Sequence, residues 1–343
     1  MNVQSVDLSL LEEVSCGLGQ VDVIKLNDIE IWRRNISTIR FVQSDLYSLP
    51  DDGNTSSIVD IAFFNDNVVI VKGNLLYFSS DMQNWTTVVL SIKPISTRIT
   101  NNKLFYFSDT ELGYTNDLIY YVSISKFSTT TGSIYDVCYS TKDSRYYVWT
   151  SKKQFYSTNL SSWTNYLKTT GTYTRTFHNV KGDNNYYRIY LNDKNYNIVS
   201  KLTAVGGSCI IKDYPIKKKY GFCEDQKGHF VPIWKTSTTR FHYNTTGYSK
   251  ENNWKYMDLP SPYRFVLGIN GEYFVVHETG ACKIKSDYSG YEKISVENFT
   301  PIKITDNIFY CEDKDNKTMY ATNEEHTGIY KFELKGWLIC FYF

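Results

Sequence analysis

Short apolar runs alternate with Gly, Asn and Asp turns along most of the chain, and this pattern predicts strands. Ile58–Phe64 is followed by the turn Asn65-Asp66-Asn67, and Val68–Lys72 by Gly73-Asn74. Leu75–Phe78 then meets a turn at Asp81, and Trp85–Leu90 closes the unit. Apolar runs of this length between turn-forming residues read as four short strands. The second run of each unit is the most apolar: Leu104–Phe107, Tyr146–Trp149, Tyr186–Tyr190, Phe230–Trp234, Tyr273–His277 and Ile308–Cys311. A strand covered on both faces has that composition. A period-3.6 apolar stripe is confined to the first twenty residues, where Leu8, Leu10, Leu11 and Val14 fit one side of a short helix.

The turn at Asp81 recurs. Tyr77-Phe78-Ser79-Ser80-Asp81-Met82-Gln83-Asn84-Trp85 is echoed by Phe155-Tyr156-Ser157-Thr158-Asn159-Leu160-Ser161-Ser162-Trp163. The copies lie 78 residues apart, two periods of about 39. Weaker copies start at Asn116, ending on Tyr120, and at Asp287, ending on Tyr291. Lys250 to Trp254 keeps the spacing without the amide or acid, and Asn323 lacks the aromatic. A period in this range, built from strands, predicts a β-propeller. The expected fold is all-β, with four-stranded antiparallel blades at about 57–90, 91–127, 128–168, 169–206, 207–260, 261–297 and 298–334. Seven blades fit best, six or eight being the neighbouring counts. A two-sheet sandwich with incidental spacing is the competing fold. Asp81, Trp85, Asn116, Asn159, Trp163 and Asp287 are expected to be structural turns.

The two ends depart from the repeat. Residues 1–56 read as an attachment segment, with a hairpin Val21–Leu26 and Ile29–Trp32 turning at Asn27-Asp28. A strand Thr38–Val42 follows, and either it latches the ring by joining the last blade or it is a docking arm. Residues 335–343 form the most apolar segment, which must pair as a strand, pack under the ring or bury in a partner. Trp32, Trp337, Phe341 and Phe343 are the candidate partner-docking residues.

Charge and cysteine content narrow the function classes. Lys plus Arg number 37 and Asp plus Glu 36, for a net charge of +1, which gives no pull toward nucleic acid or an anionic membrane. Lys217-Lys218-Lys219 reads as a solvated turn or an edge strand. The seven Cys are scattered singly, so neither a disulfide framework nor a zinc site is expected, and folding in a reducing cytosol fits. The first fifteen residues carry Asp7, Glu12 and Glu13 and no basic start, so no secretory signal is expected. No run has the length of a membrane span. Aromatic content of 16%, with 30 Tyr, suits wedge-like packing between sheets.

The Ser-x-Asp/Asn-x-x-x-Trp turns at Asp81 and Asn159 resemble the degenerate Asp-box repeats of sialidase-like propellers. The likeness covers about residues 57–334, and Met82 and Leu160 stand after the acidic or amide residue where the usual glycine is absent. In that family the boxes are structural turns, so the likeness implies fold and not activity. Lys25-Leu26-Asn27-Asp28-Ile29-Glu30-Ile31-Trp32 looks like the short hairpin of many bacteriophage tail and baseplate proteins. With the Asn/Lys/Tyr/Ile-rich composition, it implies a component of a phage tail or tail-like bacteriocin particle. Such a protein is made in the bacterial cytoplasm and acts in the particle, within a symmetric assembly. The implied partners are other tail or baseplate proteins and a host cell-surface glycan or protein.

Enzyme chemistry fits less well. A sialidase needs three arginines converging on a carboxylate, a Tyr/Glu pair and an Asp. Arg98, Arg175 and Arg264 lie in candidate first strands facing a central channel, yet no partner set is apparent and ordinary ion pairs explain them. The five His are dispersed, and no phosphate loop, dinucleotide fingerprint or nucleophile elbow occurs. The expected role is therefore non-enzymatic, without cofactor or metal, and the alternative is a carbohydrate-active enzyme of sialidase or glycosidase type. Propellers bind through the loops on a disc face. Lys72, Trp149, Tyr190, Trp234 and His277 end successive second strands and would ring one face. Packing of the same side chains between blades is the other reading.

Overall fold

A computed structural model describes residues 23–26, 29–33, 39–51, 53–127, 131–140, 144–168, 172–178, 186–191, 197–201, 208–211, 221–224, 230–233, 238–244, 254–269, 272–305 and 307–336. The chain divides into two compact units, Met1–Ile39 with Lys335–Phe343, and Arg40–Leu334.

In the first unit, β1 (Val23–Leu26) and β2 (Ile29–Arg33) form the predicted hairpin, with Leu26 opposite Ile29 across the Asn27-Asp28 turn and Trp32 opposite Ile24. Trp337, Phe341 and Phe343 lie outside the described residues.

The second unit opens with β3 (Arg40–Gln43) and β4 (Tyr47–Ser48). Four separate four-stranded antiparallel sheets follow in chain order. The first holds β5 (Ile58–Phe64), β6 (Asn67–Lys72), β7 (Leu75–Ser79) and β8 (Thr86–Val89). The second holds β9 (Ser96–Thr100), β10 (Lys103–Phe107), β11 (Glu111–Thr115) and β12 (Tyr121–Lys126). The third holds β13 (Ile134–Ser140), β14 (Arg145–Thr150), β15 (Lys153–Ser157) and β16 (Thr164–Lys168). The fourth holds β17 (Thr172–His178), β18 (Tyr186–Leu191), β19 (Asn197–Lys201) and β20 (Ser208–Ile211).

The rest is one continuous twelve-stranded sheet. It runs through β21 (Gly221–Glu224), β22 (Phe230–Ile233), β23 (Thr238–Asn244), β24 (Trp254–Ile269), β25 (Glu272–His277), β26 (Gly280–Ile284) and β27 (Tyr291–Glu297). Beyond β27 come β3 and then β30 (Gly328–Lys335), β29 (Thr318–Thr322) and β28 (Tyr310–Asp313), and β4, paired with β30 off this path, is the twelfth strand. β24 joins two sets, pairing Trp254–Asp258 with β23 and Tyr263–Ile269 with β25.

Two-faced burial explains the apolar second strands. In β6, Val69 and Val71 pack with Leu104, Tyr106 and Leu118 of the second sheet. Val68 and Ile70 point the other way, into a cluster with Tyr320 and Ile329 of the last strands. Alternation along a strand sends successive side chains to opposite faces, so a strand between two neighbours must be apolar throughout. The first strands adjoin in order: β5 beside β9, β9 beside β13, β13 beside β17, and β28 beside β5. The last set therefore meets the first. Ile308–Cys311 is expected from sequence to be the second strand of the last unit. In the structure that place belongs to β29, whose five residues are all buried, with β28 as the first strand.

The fourth strand of the last set comes from the N-terminal side. β3 lies between β30 and β27, parallel to β27 with Phe41 opposite Val296. Phe41 is fully buried and meets Phe274 edge-on at 6.4 Å. The Gln43 side chain clamps the backbone of Thr300, donating at 3.1 Å and accepting at 3.0 Å. Arg40 pairs with Glu297, and Ser44 exchanges backbone and side-chain hydrogen bonds with Lys331 at 2.9 Å. Residues 40–48, grouped with the N-terminal segment from sequence, thus belong to the sheets and latch them.

Candidate functional site

Among the described residues, four corners connect a third strand to a fourth; three share one geometry and the Asp287 corner keeps part of it. In the first, Asp81 Oδ1 accepts the backbone N–H groups of Gln83 and Asn84, both at 2.8 Å, and the Ser79 hydroxyl takes the Met82 N–H at 2.8 Å. Trp85 Nε1 donates to the Met82 carbonyl at 3.2 Å. In the third, Asn159 Oδ1 accepts from Ser161 and Ser162 at 3.0 and 3.2 Å, and Ser157 from Leu160 at 2.9 Å. At the Asp287 corner the carboxylate accepts Ser289 N–H at 2.9 Å. Asn84 holds the Asp81 carboxyl well below the usual range, chiefly through its N–H. The Ser289 N–H lowers the Asp287 pKa.

In the second corner the acceptor is Asp117, one residue beyond the expected Asn116. Asp117 Oδ1 accepts from Ile119 and Tyr120 at 2.9 Å, Thr115 stands where Ser79 stands, and Tyr121 OH donates to Leu118 O at 3.0 Å. The Tyr120 and Ile119 N–H groups lower the Asp117 pKa. Asn116 instead accepts Lys103 Nζ at 2.6 Å. The pairing Asp117 with Tyr121 keeps the four-residue step of Asp81 to Trp85, and that shift was the available signal.

The residue after each acceptor is left-handed: Met82 at φ 60°, Leu118 at 62°, Leu160 at 64° and Tyr288 at 59°. All four side chains are buried and plug the gap between sheets. This accounts for the missing glycine, because glycine would fit the backbone and leave a hole. Asn323 plays no such part. It turns β29 into β30, accepting from Thr327 and Gly328, since the last set takes its fourth strand from β3. Lys250 lies outside the described residues.

The corner tips differ in what they show. Gln83-Asn84, Ser161-Ser162 and Ser289-Gly290 are polar or small, whereas Ile119 and Tyr120 are apolar and 71% and 74% exposed.

The first strands are stitched together by polar side chains. Asp60, in a bulge of β5, accepts the Ser96 hydroxyl and Thr97 N–H at 2.8 Å. Arg98 of β9 lies 3.8 Å from Asp136 of β13. Glu312 of β28 takes the Gly268 N–H from β24, and burial raises its carboxyl pKa. The side chains of Arg175 and Arg264 lie outside the described residues.

Two residues of the expected binding ring are buried. Trp149 is 1% exposed, packed with Cys138 and Tyr147 on the third sheet. His277 is 5% exposed, with Ser261 Oγ 2.9 Å and Thr279 Oγ1 3.3 Å from Nδ1. Burial, and then Lys293, lowers its pKa. Both residues sit inside because neighbouring strands cover the ends of the second strands. Lys72 is half-buried, and its carbonyl accepts Asn54 Nδ2 at 3.3 Å. Tyr190 sits in β18 opposite Tyr173 and Ile198. Its side chain and Trp234 lie outside the described residues.

Three solved structures share this architecture. Streptogramin B lyase superposes at a TM-score of 0.61 and 12% identity, over 86% of this chain and 98% of that one. Virginiamycin B lyase from Staphylococcus aureus gives 0.59 and 13%, over 86% and 99%. The Pan2 WD40 domain of Neurospora crassa gives 0.60 and 8%, over 87% and 97%. At these identities the likeness concerns fold alone, and it makes the chain an all-β protein of propeller-like architecture. Lyases and a WD40 domain on one architecture leave activity to be argued from the site. No family model matches the chain, and no curated protein does.

Proposed function

We propose that Arg40–Leu334 is a seven-bladed β-propeller and that the protein is a non-enzymatic structural and binding component of a phage tail or tail-like particle. The count rests on the four separate sheets plus three sets in the continuous one: β21 to the start of β24, the end of β24 to β27, and β28 to β30 with β3.

One observation carries the non-enzymatic reading: described side chains that the sequence offered for chemistry are engaged in holding sheets together. Arg98 faces Asp136, His277 braces Ser261 and Thr279, and Trp149 is interior. What the surface offers instead is contact, at the apolar Ile119-Tyr120 tip. Large apolar side chains on a fixed turn are suited to anchoring a partner. The particle assignment rests on the hairpin resemblance at Lys25–Trp32.

Purified protein decides between the roles. A receptor binder stains host cells alone, and an assembly subunit co-purifies with other tail proteins. A soluble monomer that does neither contradicts the proposal. Arg264-dependent turnover of a fluorogenic sialoside would establish the glycosidase alternative.

A further inference from the structure

Third strands run toward the corners, so the corners mark one side of Arg40–Leu334. The turns between first and second strands lie on that side too: Asn65, between β5 and β6, donates through Nδ2 to Asn116 O of the second corner at 2.8 Å. β30 ends beside such a turn, where Leu334 N–H donates to Lys317 O at 3.0 Å. β3 runs parallel to β27, which starts from the Asp287 corner, so the chain enters β3 from the same side. Both links between the two units, Ile39 to Arg40 and Leu334 to Lys335, therefore leave Arg40–Leu334 on the corner side. The exposed apolar tip is there as well. Ile119, Tyr120 and Val122 are 71%, 74% and 42% exposed, and Asp117 holds the Ile119 and Tyr120 N–H groups at 2.9 Å. Exposed carboxylates accompany the tip: Asp117 at its base, Asp66 next to Asn65, and Asp81 at the first corner. The corner N–H groups lower the Asp81 and Asp117 pKa values. The cations Lys103 and Arg145 are half-buried, laid over the Tyr114 and Tyr156 rings at 5.1 and 4.5 Å.

We propose that the Ile119-Tyr120 tip inserts into an apolar pocket with a Lys/Arg rim on a neighbouring structural protein of the particle. This rests on the particle reading above. The corner side is the side from which the chain runs to the unit bearing the Lys25–Trp32 hairpin, so it is the side turned toward the particle. A tip whose backbone is already held by Asp117 loses little freedom on binding, and its two large side chains supply the anchor. Asp66, Asp81 and Asp117 around an apolar centre select a basic rim, which fixes orientation and speeds encounter. A second copy offers the same carboxylates beside its own tip, so pairing tip to tip sets like charges together.

The test places p-benzoylphenylalanine in the full chain within purified particles, in place of Tyr120 or, on the opposite side, of the exposed Asn74 between β6 and β7. Light should join position 120 to one other structural protein of the particle and should not join position 74 to it. Co-produced with wild type, the double variant Ile119→Ser/Tyr120→Ser should enter particles at least about tenfold less, and Asp66→Lys about threefold less. The cross-link stays readable where a variant folds poorly. Cross-linking of position 120 to a second copy, to a host cell-surface molecule or to nothing overturns the proposal, and so does equal entry of the double variant. Wild-type protein absent from the particles refutes the particle reading itself, and the docking tip with it.

Discussion

Replacing Leu118 by glycine should damage the protein less than replacing it by alanine. Leu118 is 3% exposed at φ 62°. Truncating a buried leucine to alanine costs about 2–5 kcal/mol through lost transfer energy and the residual cavity. Alanine keeps the left-handed backbone, whose steric cost for a residue with a Cβ is about 1–2 kcal/mol. Glycine loses the same side chain but relieves that cost. Leu118→Gly should therefore destabilise by about 1–3 kcal/mol and Leu118→Ala by about 2–5 kcal/mol. Leu160, at φ 64°, and Met82, at φ 60°, should follow the same order. Leu104, fully buried in the regular strand β10, supplies the control. There glycine should be worse than alanine by about 0.5–1 kcal/mol, because it adds chain entropy with no strain to relieve. Urea unfolding midpoints at a common slope give the comparison. If Leu118→Ala proves as stable as Leu118→Gly or more so, the left-handed plug at the corner is wrong.

The other expectations concern the corners and the latch. Asp117→Ala should lower the melting temperature more than Asn116→Ala, since only Asp117 accepts the two turn N–H groups; equal losses in a thermal scan would remove the assigned register. Asp81, Asp117 and Asp287 have lowered carboxyl pKa values, so their contribution is present above the unfolded value near 3.8 and is lost as pH falls toward the folded value. The stability gap between wild type and a triple Asp→Asn variant should therefore shrink from neutral pH to about pH 3, and a constant gap would contradict the assignment. Phe41→Ala should cost about 3–5 kcal/mol by emptying a fully buried position in the latch. A loss under about 1 kcal/mol in chemical denaturation would mean that β3 does not close the last set.

The repeat was legible because its physics is local. A carboxylate or amide that caps two N–H groups needs a fixed spacing, and Ser79-x-Asp81 and Ser157-x-Asn159 display it. The apolar second strands were equally plain, since burial on both faces leaves no polar positions. The Asn116-Asp117 doublet was ambiguous because either residue can cap a turn, and the aromatic doublet Tyr120-Tyr121 accommodates both registers. The last set was misread for a non-local reason. Its fourth strand comes from Arg40–Gln43, so no corner follows β30 and the strand order shifts. The burial of Trp149 and His277 was also beyond local pattern, because a residue at a strand end is open or covered according to its neighbours.

A crystal structure of the full-length protein tests the central claim most directly. The account predicts seven four-stranded sheets around one axis, with Arg40–Gln43 as the outer strand of the last and β28 against β5. Two sheets packed face to face, a different number of blades, or residues 40–43 lying free of β30 would contradict it.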